Sequence, residues 1–244
     1  LENDVDVGKL EQWFESYETA TYQSRNEAER ARDYTDGNQL TQEERAALQK
    51  RGQPEVVFNR VRRKIEYLKG LEVKQRTDPK AFPRTPQHQE GAEAATDAIR
   101  YVCDNQDWDY VRSEVYDNFL VEGYGACEVV HQPKRNGDVE VVINHYPWDR
   151  TFYDPHSRES DFSDARFKGA VIWMDEEDFL AEYPDQKDVV EGLYALQGVS
   201  ASDTHDDRPK RHWVDATRKR IRVVDVVSPQ GGLAVVQVCV RRKA

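Results

Sequence analysis

Cysteine, methionine and long apolar runs are all scarce in this sequence. The three cysteines, Cys103, Cys127 and Cys239, lie far apart and form no CxxC pair. They read as reduced, buried thiols of a cytosolic product. No basic segment followed by an apolar run opens the chain, so no signal peptide is read. Every apolar stretch is far shorter than the ~20 residues a bilayer span needs, so no membrane span is read either. The first residue is Leu1 rather than Met, which places the start of the gene product upstream or implies processing. A glycine-rich phosphate cradle is also missing. Gly123-Tyr124-Gly125-Ala126 follows a helical pattern, not a strand, and lacks both the Lys-Ser/Thr of a P-loop and the third glycine of a dinucleotide site. It reads as a helix stop, and no nucleotide cofactor is expected. Positive charge is in deficit too: 35 Lys and Arg stand against 46 Asp and Glu, a net charge of −11. Tight duplex binding normally needs a basic domain, so this balance argues against it.

What is present is polar but built to fold. Charged residues make up 33% of the chain and the mean hydropathy is −0.90, yet aromatics reach 10%, more than a disordered chain carries. Such a chain suits a subunit that buries surface against copies of itself.

The apolar spacing predicts helices first and strands later, an α+β class. Leu10, Trp13, Phe14 and Tyr17 form one stripe of a long helix over 10–34. The polar residues after them, Asn26, Glu27, Glu29, Arg30 and Arg32, are expected in solvent. Thr41-Gln42-Glu43-Glu44 is a capping box that starts a helix to Lys50. Asn59 caps a helix over 60–69, with Val61, Ile65 and Leu68 on one side; Gly70 ends it, and 71–76 looks extended. Helices follow over 91–102, with Ala94, Ala95, Ala98, Ile99 and Val102 as its stripe, and over 109–122, with Val111, Val115, Phe119 and Leu120 inward. Arg135-Asn136-Gly137-Asp138 between two β-rich runs, 126–132 and 139–146, predicts a hairpin. A strand over 169–173, a helix capped by Asp175, a helix over 188–196, a polar loop over 198–209 and a last hairpin around Gly231-Gly232 complete the pattern. The expected division is a mainly helical part, 1–123, and an α+β part with two hairpins, 124–244.

Three clusters could carry function. Asp149, Asp154, Asp161 and Asp164, with His145 and His156, are oxygen and imidazole ligands of the kind a metal-dependent nuclease would converge on one ion. Their spacing lacks the rhythm of a calcium loop, and aspartates in irregular chain commonly bond nearby backbone N–H groups. Trp148, Phe152 and Tyr153 could stack nucleic-acid bases or pack a core. The one strongly basic stretch contains Arg60, Arg62, Arg63, Lys64, Lys69, Lys74 and Arg76. Its first four residues, Arg60, Arg62, Arg63 and Lys64, are the candidate basic face for subunit contact, with phosphate contact or plain solvation as the other readings.

Several strings, in order, resemble the portal proteins of short-tailed phages. They are Ala31-Arg32-Asp33-Tyr34, Asp36-Gly37-Asn38-Gln39, Arg51-Gly52-Gln53-Pro54, Val57-Phe58-Asn59-Arg60 leading into Tyr67-Leu68-Lys69-Gly70, Ala81-Phe82-Pro83-Arg84-Thr85-Pro86, Trp148-Asp149-Arg150, Phe152-Tyr153-Asp154-Pro155-His156-Ser157 and Asp161-Phe162-Ser163-Asp164-Ala165. From about Val227, at Ser228-Pro229-Gln230-Gly231-Gly232, the sequence departs from that resemblance. The resemblance implies a structural subunit of a ring, a dodecamer, at one capsid vertex of the virion, made in the host cytoplasm. It implies terminase, scaffolding, capsid and tail proteins as partners, and double-stranded DNA passing through the channel without sequence specificity. It places these residues in the peripheral wing. Family members are far longer than this chain, so most of the stem, the clip and the crown would lie beyond it. No catalytic residue, metal or cofactor is implied. The alternatives are a metal-dependent DNA-processing enzyme using the 149–164 aspartates and, more weakly, an interaction module that forms no ring.

Overall fold

An aromatic stripe near the start of the chain is buried against strands that come between about 140 and 210 residues later. The computed structural model describes residues 7–133, 137–159, 162–197, 214–215, 218–227 and 236–238. Its fold is α+β, with helices first and antiparallel strands after them. Two compact units partition the chain: residues 1–23 with 149–244 form one, and residues 24–148 form the other. The change from helices to strands falls next to Gly123, between α-helical residues to Glu122 and the strand from Ala126. Gly123 caps a helix at φ +92°, a left-handed conformation that glycine adopts without strain.

The discontinuous unit is a sheet with helices on both faces. Helix α1 (Val7–Ala20) buries Leu10, Phe14 and Tyr17, as their spacing predicts. It packs against strands β3 (Thr151–Tyr153), β4 (Lys168–Asp175) and β6 (Arg220–Val227) through Phe152, Phe167, Val171, Val224 and Val226. Trp13 stacks on Phe167 at 5.1 Å, and Phe14 meets Phe152 edge-on at 5.4 Å. Each fully buried side chain of this size contributes roughly 1.5–3 kcal/mol. On β6 the alternation of a strand sends Ile221 and Val223 to the opposite face. There they join Phe179 of α7 (Glu176–Glu182), Val190 of α8 (Lys187–Gln197) and Val214 of β5 (Val214–Asp215). The sheet runs β3-β4-β6-β5, and β7 (Val236–Val238) pairs with β6. The pairing of β6 with β7 supplies the expected last hairpin; its Gly231-Gly232 turn and the 198–209 loop lie outside the described residues. Gly169 is required on β4, because a Cβ there would strike the Asp225 carbonyl oxygen and the Phe152 ring.

The expected single helix over 10–34 is interrupted at Thr21, and α2 (Tyr22–Asp36) follows. The Thr21 hydroxyl donates to the Tyr17 carbonyl at 2.7 Å, a backbone bond by a β-branched residue that bends helices.

The continuous unit contains α3 (Gln42–Lys50), α4 (Arg60–Lys74), α5 (Gln89–Asn105), α6 (Trp108–Glu122) and the hairpin β1 (Ala126–Pro133) with β2 (Val139–Tyr146). The capping box forms as read: the Glu44 N–H donates to the Thr41 hydroxyl at 3.2 Å, and the Thr41 N–H to the Glu44 carboxylate at 2.8 Å. The hairpin register pairs Ala126 with Tyr146 and Pro133 with Val139; Arg135 and Asn136 of its turn lie outside the described residues. Helix α4 passes through Gly70 rather than ending there, and 71–74 is helical, not extended. Glycine costs a helix about 1 kcal/mol. Here the ion pairs of Glu72 with Arg76 (3.0 Å) and Arg112 (2.8 Å) on the following turn offset that cost. Two expected inward residues point outward: Phe119, 56% exposed, and Ile99, 42% exposed. Ala94, Ala95 and Ala98 are exposed as well, because α5 turns Thr96 inward, where it accepts from the Ala81 N–H.

Candidate functional site

The basic stretch divides into two sets with different environments. Asn59 caps α4: its side-chain oxygen accepts from the Arg62 N–H at 3.0 Å, and its amide donates to the Thr35 carbonyl at 2.7 Å. This fixes the start of α4 against the end of α2 and presents Arg60, Arg62, Arg63 and Lys64 together in solvent. None of the four makes an ion pair with another described residue. Arg60, Arg62 and Arg63 stand at the start of the helix, the end where the macrodipole disfavours cations.

The other cations of the stretch are engaged. Lys69 meets Asp117 at 3.0 Å. Arg76 bonds Glu72 and Ser113 and lies 3.5 Å from Asp109. Asp117 also binds Arg32 at 2.7 Å, and Arg32 donates again to Glu122 at 2.9 Å. Arg32, expected in solvent, is therefore the hub that ties α2 to α6. Burial works against its charge, but the hydrogen bonds to Glu122 and Asp117 prevail and hold the guanidinium above its ordinary pKa. Burial likewise works against the Asp117 charge, and the bonds from Arg32 and Lys69 overcome it and hold that carboxyl below its usual range. The partners of Arg32 lie 85 and 90 residues further along the chain, so no local pattern announces them.

Of the aspartates weighed as metal ligands, Asp154 and Asp164 fasten a loop, the turn chemistry weighed beside that reading. Asp154 is buried and accepts from the Arg166 side chain at 2.6 and 3.1 Å, from the His156 N–H at 3.0 Å and from the Arg166 N–H at 3.2 Å. The Arg166 side chain, with these N–H groups, holds its carboxyl far below the usual carboxylate range. Asp164 accepts from the Ser157 hydroxyl at 2.6 Å and from the Arg158 N–H at 2.8 Å, which lowers its pKa. Asp161 lies outside the described residues. His145 belongs to the continuous unit, where its Nε2 is 2.8 Å from the Asn118 amide nitrogen and burial pushes its pKa down. Among the described residues no group of three or more His, Cys, Asp or Glu side chains converges.

The aromatic string packs a core. Phe152 is buried among Phe14, Tyr17 and Phe167, and Tyr153 lies between Tyr17 and Phe162. The Trp148 carbonyl accepts from the Tyr124 hydroxyl at 2.8 Å. Cys103 is half-buried and Cys127 exposed, not buried as expected, because Cys127 sits on a β1 face that nothing described covers; Cys239 lies outside the described residues.

What remains outward is apolar as well as basic. Phe58, Tyr67, Phe82, Tyr101 and Tyr110 are each 68% exposed or more, and all belong to the continuous unit. No helix described is long and apolar enough to cross a membrane. No curated protein matches the chain. The profile of the family described as phage P22-like portal protein matches residues 11–228, and the chain belongs to that family of structural phage proteins.

Proposed function

We propose that this chain is a subunit of the portal ring at one vertex of a phage capsid, where the ring serves DNA packaging, DNA ejection and attachment of the tail. The family match over residues 11–228 carries this reading. The ring is a homo-oligomer, a dodecamer, and the basic face of Arg60, Arg62, Arg63 and Lys64 lies in its subunit contacts. The exposed aromatics of the continuous unit support self-association, because a surface of that kind gains stability when a neighbour covers it. The net charge of −11 suits a wall past which duplex DNA slides without adhering. Terminase, scaffolding, capsid and tail proteins are the partners of such a ring.

The test is location and loss. An antibody against this chain should label particles at a single vertex, and a nonsense mutation early in its gene should leave capsids without DNA. Label spread over the whole capsid would overturn the reading. So would Mg²⁺-dependent cleavage of plasmid DNA that Asp154→Ala and Asp161→Ala abolish.

A further inference from the structure

Two exposed helix faces of the continuous unit carry matching patterns of opposite charge. On α4, Arg60, Lys64, Tyr67, Leu71 and Lys74 follow one another at alternating spacings of four and three. On α5, Glu90, Ala94, Asp97, Tyr101 and Asp104 do the same. That alternation lays side chains in one stripe along a helix, and it is the spacing at which two helices interdigitate. Each stripe runs about 21 Å at a rise of 1.5 Å per residue. All ten side chains are exposed, and Tyr67 and Tyr101 are each 70% exposed. Arg60, Lys64, Lys74, Glu90, Asp97 and Asp104 make no ion pair with another described residue. The opposite sides of the two helices are already engaged, α4 through Lys69 and Glu72 with α6, and α5 through Thr96 with Ala81.

We infer that the α4 stripe of one copy docks on the α5 stripe of the next. This rests on the portal-ring reading and names the surfaces that make the contact. Both ends of the α4 stripe are cationic and both ends of the α5 stripe are anionic, so either direction of helix crossing brings opposite charges together. Between the charged ends lie apolar or aromatic side chains, Tyr67 and Leu71 on one stripe, and Ala94 and Tyr101 on either side of Asp97 on the other. Arg63 beside the first stripe adds to its positive field, and Glu93 beside the second adds to its negative field. Nucleic acid would satisfy α4 but would be repelled by α5. A second copy of the same chain satisfies both. The two faces differ, so the contact is heterologous: each copy spends its α4 once and its α5 once, and the repeat closes into a ring.

The test is a charge exchange in the 244-residue chain, read by sedimentation velocity and circular dichroism. One variant carries Arg60→Glu, Lys64→Glu and Lys74→Glu; the other carries Glu90→Lys, Asp97→Lys and Asp104→Lys. In each variant both stripes have the same sign, so self-association should weaken about tenfold or more while helicity stays at the wild-type level. In an equimolar mixture every contact between unlike copies has opposite signs, and association should return. Two variants that associate like the wild type would overturn the pairing, as would a mixture that stays dissociated or a wild-type chain that remains monomeric to its solubility limit. Unchanged association with loss of duplex DNA binding by the α4 variant alone would assign that face to nucleic acid. Vertex rings that still assemble from both variants would overturn this pairing and leave the portal reading standing.

Discussion

The two units of this chain reach order by different means. The discontinuous unit buries aromatic and branched side chains on both faces of a sheet. Among the described residues of the continuous unit, the only buried apolar side chains are Ala28 and Val111, and its helices are joined by Arg32, Lys69, Arg76 and Arg112 with their carboxylates. The exposures are reversed in the same way. Of the large apolar side chains that face solvent among the described residues, only Tyr22 belongs to the discontinuous unit. Under the proposed ring, a body that spends its charges internally and keeps its apolar surface outside would be completed by a neighbour.

Substitutions should separate the two. The largest effect is expected from Phe152→Ala, which empties the centre of the α1 face and should cost about 3–5 kcal/mol in urea unfolding. Hydrogen exchange should show the loss in α1, β4 and β6. Arg32→Ala should cost about 3 kcal/mol and expose α2 and α6 to exchange, because it strands the fully buried Glu122 carboxylate. The pair Arg32→Met with Glu122→Leu should recover most of that. Gly169→Ala should cost about 1–3 kcal/mol by overpacking β4 against β6 and Phe152.

Acid and salt give the smaller effects. The folded pKa of Asp154 lies below its unfolded value. Its contribution is therefore fully present above about pH 4 and is lost as pH falls through the folded value. Proteolysis within 154–167 should accelerate between about pH 4 and pH 2, and Asp154→Asn should make that loop sensitive at neutral pH as well. Raising NaCl to about 1 M should speed exchange in the ion-paired α4 and α6 and leave β6 unchanged. Equal sensitivity of both units would erase the distinction drawn between them.

The elements that local chemistry specifies were legible in the sequence: the Thr41–Glu44 capping box, the Leu10–Tyr17 stripe, the β1–β2 hairpin and the Gly123 stop. The break at Thr21 was not, because a hydroxyl bond back to Tyr17 leaves the apolar period intact. The passage of α4 through Gly70 was not, because Arg112, on another helix, supplies what the glycine removes. The role of Arg32 was hidden for the same reason. Of the candidate site, the basic residues at the start of α4 could be read directly. Their acidic counterpart on α5 could not, since its apolar spacing predicted an inward stripe and only the structure shows that face outward. The aspartate string was ambiguous by nature: carboxylates that fasten a loop and carboxylates that hold an ion have the same composition.

The position of β6 has a consequence for synthesis. Leu10 and Phe14 leave the ribosome more than two hundred residues before Val224 of β6, which belongs to the last strand of the core that covers them. At about 5–20 residues per second that interval is roughly 10–40 s. The whole continuous unit is made inside it. Until Phe152 and Phe167 emerge the aromatic side of α1 has none of its partners, and until β6 emerges its cover is incomplete, which makes it a ready substrate for a chaperone and an early opportunity for aggregation. The speed of translation through residues 24–148 thus sets how long the first helix waits for its fold.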